Sequence, residues 1–447
     1  MTDVETKMAE LEEERKRVSS EIGRRKAQGQ SFDDLRERSR ALSEEIKQLA
    51  AAAETDAPGE TAVRPTATVL PGRTDVLTTT AQVAALQPEW EELLAQAAAA
   101  SPFLSWEWMS TWYEHYGAQG QSRCLAVRDG TGRLVGIVPL FLSEARDPVL
   151  PRGQIGFAST YGPAWGMYLE PISAPGAERV VAEAVVTELR RAPVRWRTAV
   201  LARVPAETTF VAPLTQAAAA VGLALSVQAD MLCVAGPVGR RWEEFEAQMP
   251  SRKRLKENRR RLRKLHTEAP EAEFVCCEQE AEIGPWFERM RELNLRQREE
   301  IGLPSNFADR QFCSCTVEFA RRALRRGWLR LIGLQVQGRL IATELALLYR
   351  RRYYLLSWTY DRDHMQYAPA HLVMCEAIRR GITEGAEEID FLTGLHTYKP
   401  DYTAGRRHTL RIVLSDPRRL DSTARVARRA LLVAARATAK RVLQRSS

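Results

Sequence analysis

Hydrophobic and polar positions change period several times along the chain, and each change marks an element. From Met1 to Ala53 apolar residues are sparse and fall at three-four spacing. They are Val4, Met8, Leu11, Val18 and Ile22, then, after the polar break Gly29-Gln30-Ser31, Phe32, Leu35, Leu42, Ile46 and Leu49. Each seam is a single stripe. That predicts two helices of about 20 to 25 residues joined by a tight turn, an antiparallel α-helical coiled-coil hairpin standing out in solvent. Glu54 to Asp75 loses all period and collects Pro58, Gly59, Pro65, Pro71 and Gly72, the composition of a semi-extended linker.

Beyond the linker the pattern alternates between strand and helix. Leu86–Ala100, Val180–Arg191 and Phe210–Val221 read as amphipathic helices, and Thr198–Val204 and Leu223–Val234 as strands. Arg123–Val127 and Leu134–Leu142 form a hairpin across Asp129-Gly130-Thr131-Gly132. Ile155–Trp165, rich in Gly and aromatic residues, is expected to be a loop. This makes a first lobe from about 76 to 240. A second lobe, 241–416, opens at Trp242–Met249 and carries helices at Ser251–Leu265, Trp286–Glu299 and Asp309–Arg326. A hairpin, Trp328–Val336 with Arg339–Tyr349, turns at Gln337-Gly338. The aromatic run Tyr353–Tyr360 reads as a buried strand, Ala368–Glu384 as a helix started by Pro369 and stopped by Gly385, and Ile389–Leu392 as a returning strand. The unit is β-α-β, which places a ligand at the strand ends beside the helix N-terminus. From Asp416 a basic, Ala-rich helix runs to the end.

The closing stretch of that unit, IDFLTGLHTYKPDY (389–402), with the Tyr-Asp turn at Tyr360-Asp361 and SPFLSWEWMSTWYEHYG (101–117) upstream, resembles the GNAT-superfamily acyltransferases of the Fem-like and BioF2/CelD-like type. The likeness runs from about Thr74 to Asp416. It implies an α/β (α+β) fold of two tandem GNAT-like lobes and transfer of an acyl or aminoacyl group to an amine. It also implies that Tyr398 and Lys399 lie by the donor's reacting end, with Lys399 stabilising charge. Asp361, after the strand end, and Glu344, a strand carboxylate where relatives carry a small or apolar residue, are candidate bases for the amine. Asp363, Asp390, His364 and His396 are further alternatives, Asp390 being better suited to pinning its strand.

The arm, ELEEERKRVSSEIGRRKAQGQSFDDLRERSRALSEEIKQL (10–49), is similar to the N-terminal tRNA-binding coiled coil of seryl-tRNA synthetases. That likeness implies a grip on serine tRNA, with Arg24, Arg25, Lys26 and Arg36 contributing phosphate-binding charge. The densest basic run, SRKRLKENRRRLRKL (251–265), sets nine cations against Glu257. Arg252, Arg254, Lys256, Arg259, Arg260 and Arg263 are its candidate phosphate ligands. Solvated helix faces are the plain alternative for both.

Composition adds little to this. A net charge of +8 over 447 residues permits a polyanionic partner without requiring one. The seven cysteines form no even framework and no metal spacing, so structural thiols in a reducing compartment are expected and a metal is not. No window of about 20 apolar residues occurs, which points to a cytoplasmic protein without a membrane span. A pyrophosphate-binding Q/R-x-x-G-x-G/A loop is missing, since the equivalent position reads Gln366-Tyr367-Ala368-Pro369-Ala370. The sequence therefore favours an enzyme that needs no cofactor and moves an amino acid, serine favoured, from tRNA to a small-molecule amine. An acyl-CoA N-acyltransferase using the arm to form a homodimer, and a non-catalytic tRNA-binding protein, are the alternatives.

Overall fold

The structure is a computed structural model. It describes residues 71–98, 101–144, 153–160, 164, 166–191, 196, 198–300, 302–394 and 398–417, with 14, 18, 21, 34, 38 and 41 before them. The chain divides into two compact units, Met1–Thr66 and Ala67–Ser447. In the first, the six described residues are helical, and Arg38 pairs with Glu14 at 2.7 Å. The hairpin as a whole, with Arg24, Arg25, Lys26 and Arg36, lies outside the described residues, as does the basic C-terminal helix beyond residue 417.

The second unit is built on one 13-stranded mixed sheet. The first lobe runs β1 (Pro71–Leu77), α1 (Thr80–Ala84), α2 (Gln87–Gln96), α3 (Trp106–Tyr116), β2 (Gly120–Asp129), β3 (Leu134–Ser143), β4 (Gln154–Phe157) and β5 (Ile172–Ser173). It continues through α4 (Glu178–Arg191), β6 (Thr198–Pro205), α5 (Val211–Ala220) and β7 (Ala224–Pro237). The second adds α6 (Trp242–Gln248), α7 (Arg252–Glu268), β8 (Glu273–Cys276), α8 (Glu280–Glu300), α9 (Arg310–Arg325), β9 (Leu329–Val336) and β10 (Arg339–Tyr349). It closes with β11 (Arg352–Tyr360), α10 (Pro369–Thr383), β12 (Glu388–Thr393) and β13 (Arg406–Ser415).

The strand order is β1-β2-β3-β4-β6-β13-β7-β12-β11-β10-β9-β8, with β5 beside β3. β4 opens the stretch Ile155–Trp165, expected from sequence to be a loop, and pairs with both β3 and β6. Two further features of this order depart from the sequence reading. β1 begins at Pro71, inside the stretch assigned to the linker. β13, late in the second lobe's sequence, inserts between β6 and β7 and completes the first lobe's sheet. Long β7 then pairs with β12 and makes the two lobes one sheet. Only long-range pairing decides where β13 goes, and no local signal encodes it.

The aromatic phrase at 101–117 is core. Trp112 and Tyr116 are fully buried, and Trp108 meets Phe319 of α9 edge-on at 4.8 Å. This contact continues one apolar core across both lobes. A second core lies on the opposite face of the second lobe's sheet, under α6, α7 and α10. There Gly381 leaves room for the ring of Tyr353; a Cβ on it would sit 2.6 Å from that ring. α10 is thereby drawn close to β11.

Candidate active site

The site is a wedge between two parallel strands. β11 and β12 pair only at Arg352–Glu388, Tyr353–Ile389 and Tyr354–Asp390. Past those residues β11 continues to Tyr360 paired with β10 alone, while β12, already paired with β7 from Glu388, stays on that strand through a turn to Thr393. The turn is built at Leu392, which takes a left-handed conformation (φ 54°) and donates its N–H to Asp390 Oδ1 at 2.7 Å. A branched-γ side chain rarely adopts that conformation, so the carboxylate bond is what holds it.

Lys399 comes from the short turn Lys399–Asp401 and enters beside this wedge. Only 5% exposed, its Nζ donates to Phe391 O at 2.6 Å and to Thr393 O at 2.7 Å. The kink at Leu392 aims those two carbonyls at one point. Burial pulls the ammonium down to about 8, against the opposing pull of Cys233, Asp390 and Glu344. Tyr398 accepts a hydrogen bond from Trp358 Nε1 at 2.7 Å. Trp358 in turn stands directly opposite Glu344 across the β11–β10 pair, so the two share a sheet face.

Glu344 is fully buried, and neither carboxylate oxygen has a hydrogen-bond partner among the described residues. Burial raises it well above the usual carboxylate range, with the Lys399 charge opposing. Lys399, Tyr398, Trp358 and Glu344 thus belong to one cluster. His371, in the first turn of α10, joins it. Its ring lies 5.9 Å from that of Tyr398, and its Nδ1 shares a hydrogen bond with Tyr402 Oη at 2.9 Å. Burial, helped by Arg254, pulls this imidazole down to about 4, which keeps it neutral. Sequence reasoning passed over His371, Trp358 and Tyr402. A His three residues after the turn at Ala368, on the helix that faces the wedge, was the signal available.

Asp361 is placed elsewhere. It accepts from Asp363 N at 3.1 Å as the cap of the turn Arg362–Tyr367, and it pairs with Arg289 and Arg296 of α8 at 3.3 and 3.5 Å. Asp363 is held by Arg296 as well, at 2.8 Å. These carboxylates brace the β11–α10 turn and do not join the Lys399 cluster. His364 sits 3.7 Å from Asp361. His396 lies outside the described residues. Asp390 pins its strand, as its type and place suggested.

Residues 252–400 match the family model described as an acetyltransferase (GNAT) domain. That match falls within the second lobe and agrees with a GNAT-like fold there. Among solved structures the chain is similar to FemX, at 10% identity over 76% of this chain and 97% of that one, with a TM-score of 0.53. It is also similar to a conserved protein of unknown function from Bacteroides thetaiotaomicron, at 11% identity over 74% and 97%, with a TM-score of 0.50. At such identities these likenesses show the fold. No curated protein matches the sequence.

The second lobe spends much of its basic helix on itself. Arg252 donates to the Glu246 and Ala247 carbonyls, Arg254 pairs with Asp401 at 2.9 Å, Arg259 with Glu246, and Arg260 with Glu257 at 2.8 Å. Through Arg254 and Asp401 the start of α7 is tied to the turn that carries Lys399. Lys256 and Arg263 are exposed and make no ion pair among the described residues. Among the described residues no group of His, Cys, Asp and Glu could hold a metal and no helix is long and apolar enough to cross a membrane; the seven cysteines are free.

Proposed function

We propose that the protein is an aminoacyl-tRNA-dependent N-acyltransferase, moving an amino acid, with serine favoured, from tRNA to an amine of a small-molecule acceptor. The observation that carries the transferase step is the Lys399 ammonium, held by two carbonyls beside the β11–β12 wedge. Two of its three hydrogens are committed, and the third is left for an oxygen that becomes negative. The acceptor amine attacks the ester carbonyl, the oxyanion forms within reach of Nζ, and the C–O bond to the ribose breaks as the amide C–N bond forms. The proton lost by the amine passes to the departing ribose oxygen, so no group on the protein need end the cycle altered. A preformed donor of this kind is worth roughly 10²- to 10³-fold in rate.

The nature of the donor rests on what the β11–α10 turn lacks. Pro369 at the first helical position has no N–H to offer a pyrophosphate, Ala368 is left-handed (φ 51°), and Arg261 donates into Gln366 O. An ester on tRNA needs no pyrophosphate cradle, and the exposed cations of α7 suit a phosphate backbone. The family description as an acetyltransferase favours a second reading, in which acetyl-CoA is the donor. Presenting the protein with seryl-tRNA, other aminoacyl-tRNAs and acetyl-CoA, each with a set of amines, decides between them. Release of deacylated tRNA with amide formation supports the first reading. Consumption of acetyl-CoA with seryl-tRNA left intact overturns it.

A further inference from the structure

A fully buried carboxyl group with two unpartnered oxygens is costly anywhere in a fold, and a strand position facing an apolar core makes it costlier. Glu344 occupies such a place. Ile332 on β9 and Trp358 on β11 flank it in register, and Ala346 follows it on the same face. Nothing structural is gained there, because neither oxygen bonds to the fold. The position belongs to the face that carries Trp358 and Tyr398, and Lys399 is the cation whose charge reaches it. An acid kept empty-handed at that point is arranged to meet something that arrives.

We propose that Glu344 is the counter-ion for a primary ammonium carried by the donor, so that the wedge accepts aminoacyl groups and rejects plain acyl groups. This rests on the aminoacyl transfer proposed above. An aminoacyl ester differs from an acetyl or fatty acyl group in its α-ammonium, one bond from the reacting carbonyl. If Nζ of Lys399 meets the carbonyl oxygen, a carboxyl on the neighbouring strand is the matching partner for that ammonium. Before binding the group is neutral, because burial holds its proton on. The incoming ammonium stabilises the carboxylate, and the proton leaves to solvent. The exchange is E–COOH plus R–NH₃⁺ going to the E–COO⁻/R–NH₃⁺ pair plus H⁺, balanced in atoms and charge. A donor lacking the amine leaves the acid unpaired, and sites built around such a bond reject the analogue without it by roughly 10⁴-fold. The same neutrality argues against Glu344 as the base for the acceptor.

The test is a calorimetric titration of the full chain with serinamide and with N-acetylserinamide, in two buffers of different ionisation heat, at neutral pH. Wild type should bind serinamide with release of about one proton and should not bind the acetylated form. Glu344→Gln should lose the proton release and bind serinamide at least about 10-fold more weakly. If that variant fails to fold, Glu344→Met, which leaves no group in need of a partner, gives the same comparison. Serinamide that does not bind, or that binds wild type and variant alike, overturns the proposal. A kinetic arm separates donor from acceptor. Wild type should prefer seryl-tRNA to N-acetylseryl-tRNA by about 100-fold or more in kcat/KM, and Glu344→Gln should erase that preference. An equal slowing with both donors assigns Glu344 to the acceptor amine and overturns the assignment made here. Acetyl-CoA turnover with seryl-tRNA ignored sinks the donor reading instead, and the serinamide titration then still decides the role of Glu344.

Discussion

The phenol of Tyr168, in the first lobe, donates to Asp390 Oδ2 on β12 of the second at 2.7 Å. The other oxygen of the same carboxylate holds Leu392 in its left-handed kink, and Arg407 on β13 reaches Oδ2, the oxygen Tyr168 bonds, at 3.2 Å while lying 5.7 Å over the Tyr168 ring. One buried carboxylate therefore connects the first lobe to the bend that aims two carbonyls at Lys399. Tyr168→Phe removes one bond from a buried acceptor and should cost about 1–3 kcal/mol of stability. Because the kink supports the ammonium, turnover should fall beyond what the lost stability explains at a temperature where the variant is fully folded. Thermal melting and initial rates on the same preparation check both. An unchanged rate would show that β12 keeps its bend without the first lobe.

Lys399 should give the protein an alkaline signature. Folded, it gives up its proton near pH 8, whereas unfolded it keeps it to about 10.5. Between those values the unfolded chain binds the extra proton, so this residue's contribution to stability rises as pH climbs from about 8 to about 10.5. Below pH 8 the cost of burying the ammonium is fully present. Activity runs the other way. If the charged form steadies the oxyanion, the rate should fall above pH 8, and in Lys399→Met it should be low and lack that limb. A rate profile with the same alkaline limb in Lys399→Met would remove the residue from the chemistry.

Arg123 and Glu188 form an ion pair at 7% and 8% side-chain exposure, tying α4 to β2. Breaking it strands a charge in the first lobe's core. Arg123→Met should therefore destabilise by about 3–5 kcal/mol, while the double replacement Arg123→Met with Glu188→Leu should recover most of that loss. Denaturant midpoints for the two variants read this directly. A single variant as stable as the double one would mean that solvent reaches the pair.

The parts of the fold written in local pattern were legible: the β2–β3 and β9–β10 hairpins, helices α4, α5, α9 and α10, and the parallel β11-α10-β12 unit all follow from periodicity and turn residues. β13 was not, because its alternation is blurred by Arg406, Arg407 and Arg411: Arg407 pairs with Glu388 and Asp390 and Arg411 with Asp230, while Arg406 donates to the carbonyls of Thr403 and Gly405. At the site, Lys399 and Tyr398 could be named from their motif, and Glu344 from its oddness on an apolar strand. That Asp361 is spent on Arg289 and Arg296 could not, since those partners lie 65 or more positions away in sequence. The basic helix misled in part: charge density reads the same whether an arginine faces solvent or pairs with its own fold.

That distinction yields the last prediction. Along α7 the positions Lys253, Lys256, Arg260 and Arg263 recur at three-four spacing and lie on one exposed face. Arg254 points instead to Asp401 and the Lys399 turn. If tRNA is the donor, Lys256→Ala and Arg263→Ala should each weaken binding about equally for all tRNAs and lower the salt dependence of affinity by about one counter-ion. Arg254→Ala should leave that slope alone and lower turnover, because it frees the turn that presents Lys399. Deleting residues 1–53 should weaken tRNA binding by roughly 10-fold or more, with a bias toward serine tRNA lost at the same time. Filter binding across a salt series, on full-length protein and each variant, separates these effects. A salt slope that ignores Lys256 and Arg263 while responding to Arg254 would mean the phosphate backbone runs over the wedge itself.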